Sequence, residues 1–118
     1  MIVATAWGSP YEGDVPVSSV LHVVDRGLSA GADSIAYGDT TGMATPTRVT
    51  NLVEETRAAH PGLELGLHFH NTRGTGLANV LAASTYPLEV VQADRWLTAN
   101  KKLKDDALKK EVDKQAWD

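Results

Sequence analysis

Two histidines one residue apart, His68 and His70, lie in the run Leu65-Gly66-Leu67-His68-Phe69-His70-Asn71. On a strand, residues two apart share a face. Leu65, Leu67 and Phe69 then make an apolar side suited to packing on helices, and Gly66, His68 and His70 make the other side. Paired imidazoles form half of a metal site, which needs a further carboxylate or amide ligand. The competing reading is two histidines hydrogen-bonded in a polar cleft. Asp39, in Gly38-Asp39-Thr40-Thr41-Gly42, is an acid–base candidate if it shares a sheet edge with His70, and otherwise an aspartate capping its own turn. Glu12 and Asp14 stand in or beside the loop Gly8-Ser9-Pro10-Tyr11-Glu12-Gly13, where a purely structural bend is the stronger explanation. Asn71 suits a cap of the following helix. Arg73 suits an anionic substrate, or pairing with Glu12 or Asp39. His22 and His60 read as surface residues without a role.

The elements that must position these groups alternate in period. Ile2 to Trp7 is an apolar run of strand length, ended by the turn formers of Gly8 to Gly13. Pro16 suits a first helical turn. Val17, Val20, Leu21, Val24 and Leu28 follow at helical spacing, with Gly31 as a stop. Ser34 to Tyr37 reads as a second strand. Thr45 is a good N-cap with Pro46 at the first helical position, and Val49, Leu52, Val53 and Thr56 carry that helix's apolar face to Pro61-Gly62. Leu63 to Phe69 is a third strand. Leu77, Val80 and Leu81 mark a third helix, stopped near Tyr86-Pro87, and Leu88 to Val91 suits a short fourth strand. Successive βα units of roughly 30 residues imply parallel strands with right-handed crossovers. The predicted class is α/β, a partial (β/α) barrel of three to four units over residues 1–99. A complete barrel needs roughly 200 residues or more.

Residues 100–118 break this rhythm. Six lysines and five acidic residues fall between Lys101 and Asp118, while Leu103, Ala107, Leu108, Val112 and Trp117 give a partial helical stripe. A charged C-terminal helix is expected there, near Leu103 to Ala116.

Composition narrows the function classes. The 118 residues are 42% hydrophobic and 22% charged, with a net charge of −4. That suits one modest globular domain rather than a disordered chain. The acidity argues against a nucleic-acid partner, which needs a basic face. No apolar run reaches the about 18 residues of a membrane span, and Met1-Ile2-Val3-Ala4 has no basic region of a secretory signal. A cytoplasmic protein is expected. With no cysteine, disulfides, thiolate metal sites and thiol nucleophiles are excluded within these residues. No Gly-x-Gly-x-x-Gly or Walker-type loop is present. Arg73-Gly74-Thr75-Gly76 lacks the spacing, though a helix N-terminus there could face an anion.

At the loops the sequence resembles a known family. Gly8-Ser9-Pro10-Tyr11-Glu12-Gly13 is similar to the Gly-Cys-Pro-Tyr-Glu-Gly loop of hydroxymethylglutaryl-CoA lyases. Gly38-Asp39-Thr40-Thr41-Gly42 resembles their Gly-Asp-Thr-x-Gly, and His68 to Gly74 their His-x-His-[Asp/Asn]-Thr segment, with Leu77-Ala78-Asn79 its continuation. Order and spacing agree from Ile2 to Ala83. The resemblance implies a β/α barrel, of which this stretch matches strands five to seven. It implies a retro-Claisen cleavage of a 3-hydroxy acyl-CoA to acetyl-CoA and a keto acid, with Mg²⁺ or Mn²⁺ as Lewis acid. It makes His68 and His70 metal ligands and Asp39 a catalytic acidic group near the substrate hydroxyl. Asn71 and Arg73 match neighbours of the ligands and, with Glu12, are expected to bind substrate.

The family's Asp-Arg-Glu-type segment, its cysteine loop and a further asparagine ligand have no counterpart in these residues. Two readings follow. In one, the chain is a lyase-like protein, either a fragment or a subunit completed by a second copy or another chain, the isolated chain being inactive. In the other, it is a non-catalytic remnant that binds metal weakly or serves as an interaction module.

Overall fold

A computed structural model describes residues 1–86 and, as backbone only, two further strands at 90–93 and 97–100. The expected C-terminal helix lies outside the described residues. The elements run β1 (Ile2–Val3), β2 (Gly8–Ser9), β3 (Gly13–Asp14), α1 (Val17–Ser29), β4 (Ser34–Asp39), α2 (Pro46–Ala59), β5 (Glu64–Phe69), α3 (Gly76–Ala83), β6 (Val90–Ala93) and β7 (Leu97–Asn100). One five-stranded sheet has the order β1-β4-β5-β6-β7. Its first four strands are parallel, each neighbour being the next βα unit along the chain. This is the expected partial α/β barrel architecture. β7 was not anticipated: it pairs antiparallel with β6. Among the described residues no helix is long and apolar enough to cross a membrane.

Local chemistry sets the helix ends. Pro16 (φ −63°, ψ 145°) stands at the N-cap of α1 in the extended geometry that proline favours. At the other end Ala32 N–H bonds Gly27 C=O and Gly31 N–H bonds Leu28 C=O, with Gly31 at φ +104°. That is a Schellman stop, which needs a residue tolerant of positive φ. The Thr45 side chain accepts from Arg48 N–H and Pro46 opens α2, as the sequence predicts.

The strands β4 and β5 alternate strictly in burial. Ile35, Tyr37 and Asp39, and Leu65, Leu67 and Phe69, are buried beneath the helices. Ala36, Gly38, Gly66 and His68 are half-buried on the opposite face. Val20 and Val24 of α1, and Val49, Leu52, Val53 and Thr56 of α2, complete the core. Each large apolar side chain buried here contributes about 1.5–3 kcal/mol.

One strand expectation fails. Of the apolar run Ile2 to Trp7, only Ile2–Val3 is strand. Thr5 takes a φ of 52°, and the chain turns so that Ala6 and Trp7 enter the core from the helix side. The Trp7 ring lies 6.2 Å from Tyr37 and 5.5 Å from Phe69 between centroids, and its indole N–H donates to Arg48 C=O at 3.2 Å. Packing of the largest side chain thus overrides the local strand pattern. The following loop closes into the small β2–β3 hairpin.

Gly42 and Gly62 separate two roles of glycine. Both have positive φ, +68° and +81°. A Cβ at Gly62 would meet open space, whereas one at Gly42 would lie 2.7 Å from the Thr72 side chain. Gly62→Ala should cost about 1 kcal/mol from the backbone conformation alone. Gly42→Ala should cost at least about 1 kcal/mol more, because two loops must separate. Urea unfolding of both variants measures the difference; equal costs would show that the loops are not in tight contact.

Candidate functional site

The parallel strands end side by side, so the loops after β1, β4 and β5 meet at one edge of the sheet. Gly38 is in register with His68, and Asp39 with Phe69. His68 lies on the open face of β5 and His70 one residue beyond its end. Their rings are 5.2 Å apart between centroids and nearly perpendicular, at 86°. Both line a cleft of about 320 Å³ together with Asp39, Thr40, Gly38 and Gly66. Glycines at the last two positions leave room beside the imidazoles.

The hydrogen bond of His70 fixes its chemistry. Nδ1 lies 2.9 Å from Thr40 C=O. A carbonyl only accepts, so Nδ1 carries the proton. In the neutral ring the Nε2 lone pair is then the one available to a metal, the arrangement typical of ligating histidines. Among the described residues, no three His, Asp or Glu side chains are grouped to hold an ion.

Asp39 does two things at once. Its Oδ1 accepts from Met43 N–H at 2.9 Å and Ala44 N–H at 3.2 Å, and Oδ2 accepts from Ala44 N–H at 3.2 Å. The carboxylate therefore closes its own loop from the buried, helix-facing side of β4, where Asp39 is 1% exposed. Burial pushes its carboxyl above the ordinary carboxylate range. The Ala44 and Met43 N–H groups, His70 and Arg48 pull in the opposite direction without cancelling it.

The other predicted residues are placed less directly. Asn71 caps α3: its Oδ1 accepts Gly76 N–H at 2.9 Å. Arg73 is exposed and donates from Nη1 to Thr41 C=O at 2.7 Å; neither ion pair considered for it, with Glu12 or with Asp39, is formed. Glu12 is exposed at the hairpin turn, its backbone N–H bonded to Ser9 Oγ at 3.1 Å. No described contact brings its carboxylate to the histidines. Asp14 pairs with Arg48 at 3.2 Å. His22 is exposed, whereas His60 lies 2.6 Å from Asp25 and ties the end of α2 to α1.

Sequence reasoning missed the residues that hold the Thr40–Ala44 loop. Arg48 reaches Met43 C=O at 3.0 Å and also Trp7 C=O. Thr75 and Asn79 both donate to Ala44 C=O, at 3.2 and 3.0 Å. A signal for Asn79 was present: it shares the buried stripe of Gly76, Val80 and Ala83, where an amide is out of place without a backbone partner.

The HMGL-like family matches residues 3–93, and a family of unknown function, DUF3300, matches residues 74–118. The chain is 40% identical over 81 residues to the hydroxymethylglutaryl-CoA lyase YngG of Bacillus subtilis, covering 69% of this chain and 27% of that protein. It is also 40% identical over 81 residues to the (R)-citramalyl-CoA lyase of Chloroflexus aurantiacus, covering 69% and 26%. The structure of an HMG-CoA lyase from Acinetobacter baumannii, in complex with coenzyme A and 3-methylmalate, superposes with a TM-score of 0.73 at 31% identity, covering 94% of this chain and 45% of that one. The chain belongs to the HMGL-like family. It spans about a quarter of the length of these curated relatives.

The raised carboxyl of Asp39 has a definite sign in stability. The folded state keeps this proton over a window in which the unfolded chain has lost it. The stability contributed is full below the unfolded carboxylate pKa, about 3.9, and is lost as pH rises through the native value. The urea midpoint of Asp39→Asn relative to the parent protein should therefore rise from about pH 4 toward neutrality. A flat or falling difference would contradict the dominance of burial.

Proposed function

We propose that this chain carries the His-x-His part of a metal-dependent carbon–carbon lyase site, acting on a 3-hydroxy acyl-CoA by retro-Claisen cleavage to acetyl-CoA and a keto acid. The observation that carries the reading is the orientation of His70 by Thr40 C=O beside His68, at the mouth of a cleft. The names of the two lyase relatives, and the coenzyme A in the Acinetobacter baumannii structure, support the substrate class.

The donor set fits part of the coordination shell of Mg²⁺ or Mn²⁺: His68 and His70 would supply two nitrogens, leaving other positions to substrate, water or groups beyond the described residues. Such an ion supplies Lewis acidity toward the substrate oxygens. Asp39 would take the proton of the substrate hydroxyl, and its raised pKa makes it a stronger base than a solvated carboxylate. As that proton leaves, the carbon–carbon bond breaks and its electron pair passes to the thioester fragment as an enolate. The enolate then needs an acid. The resemblance gives that role to a cysteine, which residues 1–118 lack, so in this reading the acid would come from outside these residues. Arg73 and Asn71, at the same edge, would bind substrate only indirectly, since both already serve loop carbonyls or helix ends.

A second reading, a weak metal-binding or interaction module without catalysis, is favoured by the lack of a third donor beside the histidines among the described residues. Two measurements separate these readings. Titration with Mn²⁺, followed by electron paramagnetic resonance, should show weak binding that falls about tenfold or more in His68→Ala and in His70→Ala. Equal binding by the parent and the double alanine variant would end the metal reading. The isolated chain with Mn²⁺ should release no acetoacetate from hydroxymethylglutaryl-CoA. Addition of the completing chain should create release that Asp39→Ala abolishes.

A further inference from the structure

We propose that Asn79, fully buried on α3, is a positioning residue for His70, acting through the Ala44 carbonyl; its importance for catalysis rests on the function proposed above. The first observation is an imbalance within the amide. Nδ2 donates to Ala44 C=O at 3.0 Å, while Oδ1, also buried, has no hydrogen-bond partner among the described residues. The amide cannot be turned over to relieve this. The carbonyl it faces only accepts, so the NH₂ group must point there. A half-satisfied buried amide is destabilising compared with an apolar side chain of similar size on the same stripe. The presence of asparagine is therefore explained by the one bond it does make.

The second observation is what that bond holds. Ala44 closes the segment that starts at Thr40. Its N–H is one of the two donors to Asp39, and Thr40 C=O at the segment's other end accepts from His70 Nδ1. Thr75 Oγ1 donates to the same Ala44 carbonyl. α3 thus grips the far end of a short loop whose near end selects the tautomer of His70. Thr5 N–H also holds Thr40 through its Oγ1; losing the α3 grip frees the Ala44 end of the loop and so weakens the Thr40 C=O bond that keeps the proton on Nδ1 of His70.

The test is the tautomer itself, read by ¹⁵N nuclear magnetic resonance on the metal-free full chain, about two units above the ordinary imidazole pKa. The parent protein should show His70 with its proton on Nδ1. In Asn79→Leu the ratio of the Nδ1–H to the Nε2–H form should fall roughly five- to tenfold, the effect of about one hydrogen bond. Thr75→Val should shift it in the same direction by less, and the exposed His22 should not change. A merely structural role would lower the unfolding temperature and leave the tautomer ratio of the folded protein untouched, and that result would overturn the proposal. If Asn79→Leu does not fold, Thr75→Val carries the test alone, and an unchanged ratio there overturns it equally. The readout uses no metal. Failure of the parent to bind Mn²⁺ would remove the lyase reading and leave this one standing, and an unaltered tautomer would do the reverse.

Discussion

The segment from Asp39 to Ala44 is the constraint on which the site depends. It leaves a parallel strand and must reach a helix that begins at Pro46, so its backbone groups have no ladder to join. Side chains from nearly every neighbouring element meet them instead. Asp39 takes the Met43 and Ala44 N–H groups. Arg48, Arg73, His70, Thr75 and Asn79 take carbonyls. Thr40 Oγ1 accepts Thr5 N–H and Thr41 Oγ1 donates to Gly8 C=O, which joins the β1 loop and the hairpin to the same segment. The buried Ala44 N–H meets only Asp39, so loss of that partner costs more than the bond itself contributes, whereas the Ala44 carbonyl is shared by two donors. The loop is therefore fixed collectively, and both candidate chemical groups inherit that fixity.

The sheet divides the labour between its faces. On one side large side chains lock β4 and β5 to α1 and α2, with Tyr37 and Thr56 sharing a buried hydrogen bond of 2.7 Å. On the other side Ala36, Gly38 and Gly66 keep the surface low, so that His68 stands up at the C-terminal end of β5. The same alternation that builds the core thus clears a floor beside the imidazoles. Stability comes from one face, and chemistry is left to the other.

Much of this was legible in the chain because periodicity and capping are local. The stripe Val49, Leu52, Val53 and Thr56, the Thr45-Pro46 start and the Gly31 stop all appear where the spacing puts them. The alternation in Leu65 to His70 placed the two histidines correctly on the cleft. What was illegible depends on tertiary contact. Nothing local marks the turn at Thr5 that carries Trp7 beneath the sheet, or the reach of Arg48 to Trp7 and Met43. For Asp39 the sequence offered two roles, capping and acid–base, as exclusive. The structure shows the cap and, through burial on the helix-facing side, also leaves the carboxyl perturbed, because both follow from the same position at the end of a strand.

The strand order constrains how a larger barrel could form around this site. A closed barrel has no sheet edge, and each strand needs a parallel neighbour on both sides. β6 has β5 on one side, but its other side is taken by the antiparallel β7. β1, bonded to β4 on one side, offers the open edge, and its Ile2 is 76% exposed. Two identical sets of four parallel strands joined at both edges would therefore have to displace β7 from each copy. Addition at the β1 edge alone requires no such displacement, and only closure against β6 does. It would also build outward from the loop after β1, whose Thr5 is already bonded to Thr40, and so bring new groups to the histidine edge without disturbing the segment that orients it.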